Sequence, residues 1–315
     1  MSAKPAPAEA NNTLLYPGTI KLQPEDWRVE EIPEGPFTGS GEHAYFFVEK
    51  TNLTTDTVRD QLADALSLRR VDIGYAGKKD KLGITQQWFS AHSPVDEWPE
   101  IAGTRCLQHA RHLRKLRIGG LAGNRFAITI RDCATPAEQF LKLQDGFPNR
   151  FGEQRLSGDN VEQAVAWLLA GKYRQRKGKG GKRKPRSQRD GWFLSVLRSY
   201  LFNTVLEYRL AQVGNLKVVE GDYVVAGFAS APMWGRGRSK SSGRAAEIEQ
   251  QALKDLQEIC AAMEFTGLNQ DRRPLVVRPS ELMAHADGSD TVSLSFTLPP
   301  GSYATSLLQH SRALC

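Results

Sequence analysis

This chain of 315 residues predicts an α+β fold in two parts. Strand-like segments gather in its first half and at its far end, whereas residues 160–265 are richer in helical periodicity. A sheet domain interrupted by a helical lobe explains that distribution, and the length suits about two domains. Hydrophobic residues make up 40% and charged residues 24%, ordinary for a globular chain. No stretch approaches the roughly 18 uninterrupted apolar residues of a membrane span.

The elements follow in order. Met1 to Asn12 is rich in Ala and Pro without an apolar core, so a short disordered tail is expected rather than a secretory signal. Strands are predicted over Trp27 to Ile32, His43 to Val48, Val71 to Tyr75, Ile84 to Ala91, Phe126 to Ile130 and Thr291 to Leu298. In the fifth, Phe126, Ile128 and Ile130 alternate with Ala127 and Thr129, the pattern of a half-buried strand. Apolar stripes at helical spacing run through Val58, Leu62, Ala65 and Leu66, after a cap at Thr54 or Thr55. Others run through Val161 to Leu168 and Leu194 to Tyr208, and a fourth joins Ile248, Ala252, Leu256, Cys260 and Met263.

Charge is concentrated. The net +7 conceals a run, residues 172–189, that holds ten Lys or Arg and no acid; outside it 32 basic residues face 35 acidic ones. Rich in Gly and lacking apolar period, this run reads as a loop that contacts a polyanion. Its flanks are not amphipathic in the membrane-binding manner, which favours nucleic acid. Cys106, Cys133, Cys260 and Cys315 have neither zinc spacing nor the number of a disulfide scaffold, so a reducing cytoplasm is the expected setting.

Several chemistries lack their motif. No Gly-x-Gly-x-x-Gly opens a helix, no phosphate loop is complete, and no Gly-x-Ser-x-Gly elbow occurs. His109 and His112 have no third ligand at metal spacing and read as basic surface. What remains is Asp80, set among Lys78, Lys79 and Lys81 after a glycine-punctuated apolar segment. A carboxylate is anionic at neutral pH and neighbouring cations favour that form. Such a group can attack an electrophilic carbon or remove a proton without metal or cofactor.

Six segments, in one order, are similar to a known family. They are Lys21 to Glu31, with its Pro-Glu-Asp-Trp-Arg-Val-Glu-Glu; Gly74 to Trp88, with Ala-Gly-Lys-Lys-Asp, Thr85 and Gln87; Arg114 to Gly119 with Gly123 to Phe126; Pro148 to Arg155; Ser195 to Asn203; and Leu298 to Thr305. Together they resemble the TruD family of tRNA pseudouridine synthases. The chain departs from the family pattern at Trp27, where Phe is usual, at Leu156-Ser157, and at Gln309-His310.

The resemblance implies a pseudouridine-synthase-type catalytic domain with a mixed, mostly antiparallel sheet and a central cleft, formed by residues 13–149 and 278–315. An inserted α/β TRUD lobe is implied over 150–277. The implied activity isomerises uridine 13 in the D arm of tRNA, with Asp80 as the single catalytic residue and no cofactor. The base must be turned out of the tRNA fold and held. Trp27 and Tyr303 match substrate-contacting aromatics, and Asn124 matches a residue able to donate to and accept from uracil. Phe126 matches an active-site aromatic, although its alternation fits a core strand equally. Lys79 would support charge or touch phosphate. Lys177, Lys179, Lys182, Arg183 and Lys184 would grip tRNA backbone. A monomer without metal or membrane is expected. The alternative is a non-catalytic RNA-binding or ribosome-assembly protein on the same fold.

Overall fold

The computed structural model describes residues 16–156, 159–173 and 187–312. The chain divides into two compact units, one running up to Asp145 and resuming at Arg278, the other spanning Gly146–Val277. The fold is mixed α+β, with no closed barrel among its described strands.

The first unit is built on a sheet of eight strands. In chain order these begin with β1 (Trp27–Pro33) and β2 (His43–Thr51), followed by helix α1 (Thr55–Ala65). Then come β3 (Ile73–Tyr75), β4 (Ile84–His92), β5 (Thr104–His112), β6 (Leu121–Ile130) and a short helix, α2 (Ala137–Phe140). The second unit contributes β7 (Phe147–Pro148), α3 (Glu153–Leu156), α4 (Asn160–Leu169), α5 (Gln188–Val213), β8 (Val224–Val225) and β9 (Phe228–Met233). It ends with α6 (Gly243–Ala252), α7 (Gln257–Glu264), β10 (Asp271–Pro274) and β11 (Val276–Val277). The chain then returns to the first unit as β12 (Ser280–Ala286), β13 (Val292–Leu298) and α8 (Ala304–Arg312).

The large sheet has the order β12-β13-β6-β1-β4-β2-β5, with β3 on β4. Only β1 and β4 run parallel; the other pairs are antiparallel. Register and the two-residue alternation of side chains define two faces. On one, Phe46, Val48 and Phe89 pack with Val58 and Leu62 of α1. On the other, Tyr45, Phe47 and Trp88 pack with Phe37 and Leu116. The start of β1 is clamped: Asp26, 1% exposed, accepts the Gln23 amide and a two-pronged contact from Arg131.

In the second unit α5 runs for 26 residues, opened by a reciprocal cap between Ser187 and Asp190 and closed by Gly214 at φ 73. Buried ion pairs, Arg209 with Asp222 and Arg272 with Glu249, knit its loops.

Two expectations need correction. The stripe through Cys260 is two helices, broken at Leu253–Leu256, and the buried leucine there is Leu253 (1% exposed) rather than Leu256. Arg70–Asp72 forms a 3-10 turn, so the strand expected from Val71 begins at Ile73. The basic segment around His109 and His112, read as surface, is strand β5, whose residues are exposed or half-buried, with His109 paired to Asp96 at 3.0 Å.

Candidate active site

The loop joining β3 to β4 carries Lys79 and Asp80, and side chains from three elements hold it. Thr55, the first residue of α1, accepts the Lys79 amide at 2.9 Å and donates to Gln87 Oε1 of β4 at 2.7 Å. Gln87 Nε2 in turn donates to the Gly77 carbonyl at 3.1 Å. Lys50 of β2, 1% exposed, donates to the carbonyls of Asp80 (3.0 Å) and Leu53. The loop's far end is pinned by Gly83, whose φ of +120° and contact with the Trp27 carbonyl leave no room for a side chain.

The two sequence-predicted loop residues face different partners. Lys79 Nζ lies 2.6 Å from Glu31 Oε2, with both side chains almost fully buried, and Glu31 Oε1 accepts the Trp88 amide at 3.1 Å. Lys79 is therefore a buried strut between the loop and β1. Asp80 remains open to solvent, 41% exposed at its side chain, and receives one cation: Lys21 Nζ at 2.8 Å from Oδ2. Lys21 has φ 59°, an uncommon backbone state for a non-glycine residue, and its ammonium lies 4.1 Å from the centre of the Trp27 ring. Burial pushes Lys50 down to about 8, Asp80 opposing that fall and Lys79 adding to it.

Register places the remaining candidates on the same sheet face. Trp27, Val29 and Glu31 of β1 stand opposite Ile128, Phe126 and Asn124 of β6. Phe126 meets Trp27 edge-on at 6.5 Å and stacks on Phe296 at 5.3 Å. Trp27 is 2% exposed and Phe126 7%, so both rings are packed into the sheet face, with Trp27 against the Lys21 ammonium that pairs with Asp80. Asn124 also pairs with Leu298, beyond which a turn delivers half-buried Tyr303 to the start of α8. Three buried polar atoms on this face, Trp27 Nε1, Thr85 Oγ1 and Asn124 Oδ1, have no hydrogen-bond partner among the described residues. Such atoms are rare in folded chains, and His43 Nδ1, Gln139 Oε1 and Arg209 Nε are others. Lys177, Lys179, Lys182, Arg183 and Lys184 lie outside the described residues.

Sequence reasoning assigned no role in the site to Lys50, Thr55, Lys21 or Glu31. For Lys50 the signal is its alternation with Phe46 and Val48, which puts an ammonium on a buried face. Among the described residues no three His, Cys, Asp or Glu side chains converge as metal ligands. No described helix is long and apolar enough to cross a membrane.

Comparison with known proteins decides the lineage. The sequence model of the family tRNA pseudouridine synthase D (TruD) matches residues 12–175 and 226–310. This chain belongs to the TruD family. It is 38% identical to a tRNA pseudouridine synthase D of Shewanella oneidensis, covering 93% of this chain and 85% of the relative. With its namesake in Xanthomonas campestris pv. campestris strain B100 it shares 34%, over 98% of this chain and 95% of the relative. The crystal structure of a Methanosarcina mazei protein described as a tRNA pseudouridine synthase D superposes with a TM-score of 0.66 at 20% identity, covering 94% and 95% of the two chains. That likeness establishes the fold. Membership of the TruD family makes this chain a tRNA pseudouridine synthase, an isomerase acting on tRNA.

Proposed function

We propose that this chain converts uridine 13 in the D arm of tRNA to pseudouridine, with Asp80 as its one catalytic carboxylate and the target base everted. The observation that supports this reading is the contrast within one loop. Asp80 keeps a 41% exposed carboxylate, while the backbone beneath it is fixed by buried Lys50, Thr55 and Gln87. Preorganisation of that kind keeps a reacting group in place without reorganisation at the moment of reaction.

Lys21 takes Oδ2 and leaves Oδ1 for the substrate. The isomerisation breaks the bond from C1′ to N1, forms one from C1′ to C5, and moves the C5 proton to N1. Atoms and electrons balance within the nucleotide. An anionic oxygen can serve as nucleophile or as base in such a sequence. The unpaired Asn124 Oδ1 suits the N3–H of uracil, and an everted base needs such partners once its pairing is lost. Tyr303 supplies the stacking ring, while buried Trp27 serves as wall and cation seat. In this reading residues 13–149 and 278–315 carry catalysis, and the 150–277 lobe with its basic run grips tRNA.

The test uses unmodified tRNA transcripts and chemical mapping of pseudouridine. Asp80→Asn keeps the shape and removes the charge. Product at position 13 should vanish while tRNA affinity stays within a few-fold. Product persisting in that variant, or formed only at another uridine, overturns the assignment.

A further inference from the structure

A further pocket has its aromatic floor on the sheet face opposite Lys50 and Gln87, which hold the Asp80 loop, and Glu31 links its wall to that loop through Lys79. It has a cavity volume of about 490 Å³, within the roughly 300–1,000 Å³ range of ligand sites. Its floor is aromatic: Phe37 lies 4.3 Å from Trp88 and 5.1 Å from Tyr45, ring centre to ring centre. Its rim is the segment leading from β5 into β6, which places Arg114 and Arg117, both exposed, at the mouth. Glu34 is the acidic residue at that mouth, for the other lining carboxylate, Glu31, is engaged by Lys79 and the Trp88 amide. Lys115 is turned aside, its ammonium donating to the Val71 carbonyl.

The rim is held rigidly. The Leu116 amide donates to Ser90 Oγ at 2.9 Å, and the Tyr45 hydroxyl to the Arg114 carbonyl at 2.8 Å. Gly74 lies so close to the Leu116 carbonyl that a Cβ there would come within 2.4 Å. The Gly119 amide donates to the Ala76 carbonyl at 2.8 Å, at the root of the loop that carries Asp80.

Planar rings below and guanidinium groups above match the two halves of a nucleotide. Any base can stack on an aromatic ring, and arginine forks onto phosphate oxygens. We propose that this pocket is a second RNA site, which takes one unpaired nucleotide of the tRNA at a position other than the isomerised uridine. Its base lies against Phe37 and its phosphate on Arg114 and Arg117. The Glu34 carboxylate accepts from an exocyclic amino group of that base. The inference rests on tRNA being the substrate and is independent of what Asp80 does.

The experiment measures tRNA affinity of the full chain and of two variants, Phe37→Leu and the double variant Arg114→Gln/Arg117→Gln. The substrates are transcripts in which each unpaired nucleotide is made abasic in turn. Stacking of one base is worth about 1–3 kcal/mol, so Phe37→Leu should weaken binding roughly 5- to 150-fold. A single abasic position, not the target, should weaken the unaltered chain by a similar factor and leave Phe37→Leu no weaker than before. The arginine variant, whose changes are on the exposed rim, should flatten the dependence of log affinity on log salt by about 0.7–0.9 for every phosphate it no longer neutralises. Penalties that simply add at every abasic position, together with an unchanged salt slope, overturn the proposal. Pseudouridine formation by Asp80→Asn bears on the catalytic assignment alone, so the two readings fail separately.

Discussion

Lys50 shows how much the loop depends on single side chains. Its ammonium is buried against the backbone carbonyls of Asp80 and Leu53, and burial brings it down to about 8 from the ordinary lysine value of 10.5. The sign of the consequence follows from proton counts. Below about pH 8 both folded and unfolded chains hold this proton, and the folded state carries the full cost of a buried charge. Between there and 10.5 the unfolded chain holds more protons, so this group's contribution to stability rises with pH. Denaturant midpoints of the unaltered chain and Lys50→Met, compared at pH 7 and pH 9.5, should therefore shift in favour of the unaltered chain at the higher pH. A difference that ignores pH would show that Lys50 does not titrate in this window. Lys21→Met should lower the single-turnover rate about a hundredfold, by letting the Asp80 carboxylate leave its position. An unaltered rate would mean that the pair is incidental. At this scale the loop around Asp80 was legible because its residues spell a family motif. The buried lysine was not, because the predicted strand stopped at Val48, short of the alternation that exposes it.

At the level of elements, helix α1 is joined to the site at its first turn. Thr54 caps the helix by accepting the Thr57 amide at 3.0 Å, and the adjacent Thr55 holds the Lys79 amide. Thr54→Ala should cost about 1 kcal/mol of stability, read from a denaturation midpoint. Gly83→Ala should cost more, about 1–3 kcal/mol, since a left-handed backbone and the Trp27 carbonyl both oppose a side chain there. A Gly83→Ala melt matching the parent would show that the turn relaxes freely. Interior strands β1, β2, β4, β6 and β13 were readable because each has a buried face. The two outer strands were not: β5 and β12 close the sheet at its edges, and their residues are mostly half-buried or exposed. Without a buried side there is no alternation of apolar and polar residues to detect. The break at Leu253 escaped for a related reason, since one continuous apolar stripe can be drawn through two short helices.

Across the whole molecule, the charge is lopsided. The run over 172–189 accounts for more than the entire net +7. Changing Lys177, Lys179, Lys182 and Arg183 to glutamine should lessen the slope of log affinity against log salt by roughly 0.7–0.9 for each phosphate left unneutralised. KM should rise with little change in the single-turnover rate at saturation, and a slope equal to the parent's would remove the run from RNA binding. The distribution of periodicities suggested a helical lobe within a sheet domain, whereas the pocket behind the sheet left no mark in the sequence, for it is assembled from residues far apart: Phe37, Trp88 and Arg117. With Asp80 as the catalytic carboxylate proposed above, the grip of α1, β2 and β4 on its loop ties activity to global integrity. The reactive geometry should persist for as long as the sheet does and disappear with it. Amide hydrogen exchange at Lys79 should then be as slow as that of the central strands, and inactivation by urea should coincide with, rather than precede, the cooperative melting of the sheet.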